Sequence, residues 1–256
     1  MPKISKKNGK FFAIVTLLVC FCLSLTLADL FSNVITIKAF NNISTTGRQT
    51  EYSFYAISLF DGLTEATAKE QVSNVMKQGG AGFVWQKDNK FYVLASAYLE
   101  ENDAKMVKNN LKESEIEASI VKIQIPEIAI SGNFTSMENS SLTAALKAFK
   151  TAYEKLYDVS VSLDTKIKTE SECKMDVADI KNNLSKTEVA FSSVFDSKLT
   201  TNLLQIKIAL TSLLSYLEDL SKFEGTSAQP FSHKIKNTYL QALHLNYTLC
   251  KDINEL

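Results

Sequence analysis

The sequence predicts an α+β protein: an N-terminal transmembrane helix, a βαββαβ unit whose four-stranded antiparallel sheet carries two helices on one face, then an antiparallel α-helical bundle. Three observations carry that prediction. A lysine-led apolar run opens the chain. Two strand-then-helix stretches of one plan follow it: Tyr55, Ile57 and Leu59 lead into Ala68, Val72 and Val75, and Phe91, Val93 and Ala95 lead into Ala104, Val107 and Leu111. Beyond Met137 strand signals vanish and apolar residues recur at three- and four-residue spacing.

Residues 1–10 read as a cytoplasmic tail and 11–37 as a transmembrane anchor. Lys3, Lys6, Lys7 and Lys10 precede a low-polarity run over 11–28, with no acidic residue before Asp29 and a second apolar patch over 34–37. At 1.5 Å per residue the run approaches a hydrocarbon core of roughly 30 Å. The lysines stay in the cytoplasm by the positive-inside rule, which puts everything after Ile37 outside. This is a single-pass arrangement in the cell membrane. The competing reading is a cleaved signal peptide, because Thr26-Leu27-Ala28 offers a small residue where a peptidase cuts.

Residues 38–50 are polar and without periodicity, and read as a linker. The unit over 51–126 then alternates strand and helix. Residues 52–60 are aromatic and β-branched, as in a strand. Asp61-Gly62 turns the chain, Thr64 caps a helix with Ala68, Val72, Val75 and Met76 on one side, and Gly79-Gly80 stops it. Strands over 82–86 and 90–98 are joined by the tight connection Lys87-Asp88-Asn89. Glu100, Glu101 and Asp103 place negative charge at the positive end of the next helix. A strand over 118–125 ends at Pro126. Strand-helix-strand-strand-helix-strand order gives an antiparallel sheet with both helices on one face and the reverse face open.

The residues over 137–256 form three or four amphipathic helices. Leu142, Leu146, Phe149, Tyr153, Leu156 and Leu163 make one stripe, and Leu203, Ile206, Leu210, Leu213, Leu214, Leu217 and Leu220 another. Weaker patterns run through Val177, Ile180 and Leu184 and through Ile235, Tyr239, Leu243 and Leu249. The stripes are broader than a coiled-coil seam, so an intramolecular bundle is expected.

Composition excludes some classes of function. The 256 residues, 45% apolar and 22% charged, suit a folded chain of one large or two small domains. Lys+Arg and Asp+Glu both number 28, so no net field draws a polyanion. Arg48 is the single arginine, and without the paired donors of its fork nucleic acid is not an expected partner. His233 and His244 lie eleven positions apart on one helix, too far for a shared metal, and read as ordinary solvent-edge residues. Glu100-Glu101 reads as a capping charge rather than a catalytic carboxylate pair, since adjacent helix positions face apart. No nucleophile elbow, phosphate loop or dinucleotide fingerprint occurs, so neither enzymatic activity, a metal nor a cofactor is expected. Cys20 and Cys22 sit in the apolar run as small fillers. Cys173 and Cys250 fall in the external part, where two readings stand: a disulfide, or two buried thiols in a helical core. The Asn-x-Ser/Thr triplets at Asn42, Asn133, Asn139, Asn183 and Asn246 are chance occurrences in an asparagine- and serine-rich chain.

Residues 51–126 resemble a SPOR domain, a bacterial peptidoglycan-binding module. Its two halves each open with an aromatic-x-Val-x-Val strand, then a turn, then a helix beginning with alanine. Phe91, Val93, Ala95, Ser96, Tyr98 and Ala104 fit the second half, and Tyr55, Ile57, Leu59 and Ala68 the first. Ser58 stands where glutamine is frequent, Phe60 where glycine is, and Gly62 where an aromatic is expected. The resemblance implies non-catalytic binding of peptidoglycan glycan strands stripped of stem peptides, on the open sheet face, at a cell-division or sporulation septum. Strand alternation puts Ser58 and Phe60 on that face, with Tyr92, Leu94 and Ser96 beside them. Trp85 reads either as a stacking platform for sugar or as a core residue. The glycan-binding set is therefore Ser58, Phe60, Trp85, Tyr92, Leu94 and Ser96. The alternative is an extracytoplasmic scaffold or assembly protein that has lost sugar affinity and works through protein contacts of its bundle, with a septal protein as partner.

Overall fold

The computed structural model describes residues 47–130, 132–226 and 230–255. The anchor expected over 11–37 and most of the linker lie outside them. Among the described residues no helix is long and apolar enough to cross a membrane.

The expected strand and helix order is present. Strand β1 (Arg48–Gln49) precedes β2 (Tyr52–Leu63), helix α1 (Glu65–Lys77), the hairpin β3 (Phe83–Lys87) and β4 (Lys90–Tyr98), helix α2 (Glu101–Glu113), β5 (Ser119–Ile125) and β6 (Ile128–Ala129). Thr64 Oγ1 caps α1 by accepting from Thr67 N at 3.3 Å. Asp88 and Asn89 both hold positive φ, 51° and 59°, the backbone of a two-residue hairpin turn. Four strands form one antiparallel sheet in the order β3-β4-β2-β5. The last residues of the expected linker are folded instead: Arg48 and Gln49 pair with Ala129 and Ile128.

Four helices follow: α3 (Ser136–Asp164), α4 (Glu170–Phe195), α5 (Thr201–Lys222) and α6 (Phe231–Glu255), with a short 3-10 turn at Asp196–Lys198. Capping boxes start α3, through Thr135 and Glu138, and α4, through Thr169 and Glu172. The stripes read from the sequence are the buried sides, including Leu142, Leu146, Phe149, Tyr153 and Leu156 on α3 and Leu203, Ile206, Leu210, Leu213, Leu217 and Leu220 on α5.

The bundle has two distinguishable ends. At the proximal end Gly47 presses so closely on α3 that a Cβ there would overlap Leu142, and Gln49 Nε2 donates to Cys250 Sγ of α6 at 3.2 Å. Phe134, just before α3, meets Phe195 at the end of α4 with ring centroids 6.0 Å apart, and Lys198 is hydrogen-bonded to Glu138. At the distal end Lys174 of α4 pairs with Glu224 at 3.0 Å and lies over the Phe231 ring that opens α6. Helix α3, 29 residues long, separates the two by roughly 43 Å at its 1.5 Å rise.

The core is where the expectation of an open reverse face fails. Helices α1 and α2 cover one face through Ile57, Val93, Ala95, Ala68, Val75 and Ala104. The reverse face, with Phe54, Ala56, Trp85, Leu94, Val121, Ile123 and Ile125, shares one continuous core with the bundle. Sheet and bundle are two layers packed on each other. The physical reason is the strand pattern itself: an exposed reverse face needs polar side chains, and these are apolar.

Candidate functional site

The candidate site begins with register. Ile57 pairs with Ser96, Ser58 with Leu94, and Phe60 with Val93, so Ala95 on β4 and Leu59 on β2 are extra residues between matched pairs. Each such bulge shifts the alternation of everything beyond it. Paired residues share a face. Phe60 accordingly joins Val93 in the core under α1 and α2, and Ser96 lies across from Ile57 on that side, its Oγ donating to Tyr98 Oη at 3.1 Å. Both were expected on the reverse face, and the bulges are why they are not there.

Ser58, Trp85, Tyr92 and Leu94 do belong to the reverse face, but the bundle covers them. Ser58 is buried, its Oγ donating to the Phe60 carbonyl at 2.7 Å within the bulge. Leu94 is wholly buried and Tyr92 half-buried against the same core. Trp85 is 1% exposed, so of its two expected roles it has the core one. Its indole meets Phe54 edge-on at 5.6 Å and lies 4.9 Å from His244 and 5.4 Å from Tyr247, both on α6. The sheet bends enough for Lys87 Nζ, at the end of β3, to donate to the Lys122 carbonyl of β5 at 2.7 Å.

Polar contacts fix the two layers in one register. Asn246 Nδ2 of α6 donates to Tyr52 Oη at 2.9 Å, and Cys250 Sγ lies 3.6 Å from Asn246 Oδ1, extending a buried chain from β2 to Gln49. Further along α6, Asn237 Nδ2 donates to the Ala81 carbonyl at 3.2 Å and Lys236 Nζ to the Gly79 carbonyl at 3.0 Å. Lys236 also pairs with Asp164 of α3 at 2.6 Å. Tyr153 Oη donates to the Ala97 carbonyl at 3.2 Å, inside a group of rings formed with Tyr98, Tyr157 and Tyr239. Desolvation pushes the Tyr98 phenol up to about 12 and holds those of Tyr52, Tyr153, Tyr157 and Tyr239 above their ordinary value, so all stay neutral. Asn246, first residue of an Asn-x-Thr triplet, is fully buried and occupied by these bonds.

The remaining titratable candidates hold structural positions. His233 is not a solvent-edge residue: it is 9% exposed with Nδ1 unpartnered, and burial lowers its imidazole. His244 is exposed in part while its ring covers Trp85, and desolvation lowers it too. Glu101 pairs with Lys105 at 2.8 Å within α2. Cys173 and Cys250 are buried free thiols, so of the two readings the disulfide falls. The separation explains it: Lys174, beside Cys173, lies over Phe231, and Cys250 is roughly 28 Å further along α6 at the helical rise. Burial raises the Cys173 thiol and pushes that of Cys250 up to about 12.

Two surface crevices lie between bundle helices. A distal one of about 260 Å³ between α3 and α4 is lined by Lys155, Asp158, Ser162, Lys168, Asp176 and Asp179, with Lys168 and Asp176 paired at 2.6 Å. The second, about 430 Å³ between α4 and α5, is bounded by Ser185, Leu214 and the ion pair of Lys181 with Glu218 at 2.5 Å. Among the described residues no group of histidines, cysteines and carboxylates could hold a metal ion.

Exposed apolar side chains are the feature sequence reasoning passed over. Met137, Val189, Leu204 and Ile208 are exposed towards the proximal end, Ile167 and Met175 at the distal end. Leu204 and Ile208 stand off the buried stripe of α5, and that departure was the available signal. No family model, curated protein or solved structure matches the chain. The SPOR resemblance is thus one of strand and helix pattern.

Proposed function

We propose that the chain is a non-catalytic, membrane-tethered scaffold of the cell envelope, acting outside the cytoplasm through protein contacts of its helical bundle. The observation that carries this reading is the 1% exposure of Trp85 beneath α6. A sugar polymer needs an accessible platform for ring stacking, and here the platform is an internal joint. Sugar binding would have to move to the rim, where Phe83, Tyr92 and Tyr247 are half-buried. The sheet then serves as a wall that stiffens the bundle, and the distal end, with Ile167, Met175 and the charged crevice between α3 and α4, faces a protein partner of the septum or envelope.

Sedimentation of the full chain with cell-wall sacculi enriched in bare glycan tests the loss of sugar binding. The expected result is no enrichment over intact sacculi, and clear enrichment would restore glycan binding. A photo-crosslinking residue at Met175 in the native host should give a discrete protein adduct that the same residue on Lys69 of α1 does not. Equal or absent labelling at both positions would remove the scaffold reading.

A further inference from the structure

We infer that the proximal end of the bundle rests on the bilayer surface, with Leu204, Ile208 and Met137 entering its interfacial layer. The inference depends on the membrane tether of the proposed function and adds a second, non-covalent contact to it.

Four observations converge on this end. Met137 is 67% exposed, Ile208 51% and Leu204 44%, and it is their grouping at one end, rather than the exposure of any one of them, that marks a contact surface. Leu204 and Ile208 are one turn apart on one face of α5, within the first two turns of that helix. Val189 continues the patch on α4: Ser185 and Leu214 border one crevice, so counting along the antiparallel pair sets Val189 level with residue 210. Finally, Gly47 packs on Leu142 at this same end, and residues 38–46, fully extended, reach at most roughly 30 Å from the end of the apolar stretch at 37.

The charges at this end select the kind of surface. Arg48 pairs with Glu127 at 2.9 Å, Lys207 with Asp196 at 2.6 Å, and Lys198 with Glu138. With these three cations paired, the patch has little attraction for anionic headgroups, and its affinity comes from apolar insertion into a neutral bilayer. Few side chains suffice, because a short tether holds the patch at millimolar effective concentration beside the surface.

The test reconstitutes the full chain in phosphatidylcholine vesicles with or without brominated acyl chains. Trp85, the single native tryptophan, is buried and supplies the unquenched background. Leu204→Trp and Ile208→Trp are expected to emit further to the blue in vesicles and to lose the added emission to brominated lipid. Ile167→Trp, at the distal end, should show neither change. A chain that floats with the vesicles while Leu204→Trp and Ile208→Trp stay unquenched overturns the inference and leaves the tether standing. A blue shift without quenching, accompanied by concentration-dependent crosslinking, assigns the patch to a second copy and overturns it too. A chain that fails to float removes the tether and the inference together.

Discussion

His244 of α6 covers the indole of Trp85 edge-on at 4.9 Å, and that contact joins the sheet to the bundle at the point where an open binding face was expected. Phe54 and Tyr247 hold the same indole from β2 and α6, so one side chain belongs to both layers.

Replacing that side chain should loosen both layers at once. Trp85→Ala is expected to destabilise the fold by about 3–5 kcal/mol, the usual range for a buried aromatic truncated to alanine. Chemical denaturation followed by circular dichroism measures it. A loss below about 1 kcal/mol would mean that the sheet and bundle do not share a core.

The Asn246–Tyr52 bond should behave as a coupled pair. Asn246→Ala leaves the Tyr52 hydroxyl and neighbouring polar groups in a dry interface, and should cost about 1–3 kcal/mol. Tyr52→Phe removes the other partner, so in the double variant the second change should cost less than it does alone. Strict additivity in the double-mutant cycle would show that the bond is not formed.

Acid should weaken the proximal end in a defined window. The Lys198 ammonium, then the backbone and side chain of Thr135, hold the Glu138 carboxyl at about 2 against an ordinary value of 4.5. A depressed folded value means that the stabilisation is present above 4.5 and lost as pH falls towards 2, where the folded state must take up the proton. The Glu138→Gln variant should therefore show a shallower loss of stability between those pH values. An acid limb identical to that of the unmodified chain would contradict the assignment.

The two buried thiols should be unreactive and unlinked. With Cys173 and Cys250 buried and their thiols raised, a water-soluble disulfide reagent should modify them slowly in the folded chain and promptly in denaturant. Mass spectrometry of the non-reduced protein should find no Cys173–Cys250 linkage. Detection of that bond would require helix ends that the bundle keeps far apart.

Much of the local structure was legible because its causes are local. Thr64 caps α1, Asp88-Asn89 makes the hairpin turn, and β4 runs over the residues expected. The stripe through Leu203, Leu210 and Leu217 is buried as its spacing requires. The candidate site was not legible in the same way. Nothing in Ser58-Leu59-Phe60 marks Leu59 as the extra residue that turns Phe60 under the helices, since a bulge is defined by the strand opposite. One warning was present: Val121, Ile123 and Ile125 on β5, with Phe54 and Ala56 on β2, give the reverse face an apolar composition that water would not tolerate.

The sequence alone determined the periods, caps and turns, and with them four paired strands, two helices over one side and a bundle of three or four helices, because each is set by residues within a few positions of one another. Only the tertiary structure decided that α6 closes the other side, that Trp85 is a joint between layers, and that Cys173 and Cys250 stand at opposite ends. A strand's alternation gives it two faces without saying what will lie on either, and here the occupant is a helix that begins more than 140 residues after the hairpin opens at Phe83.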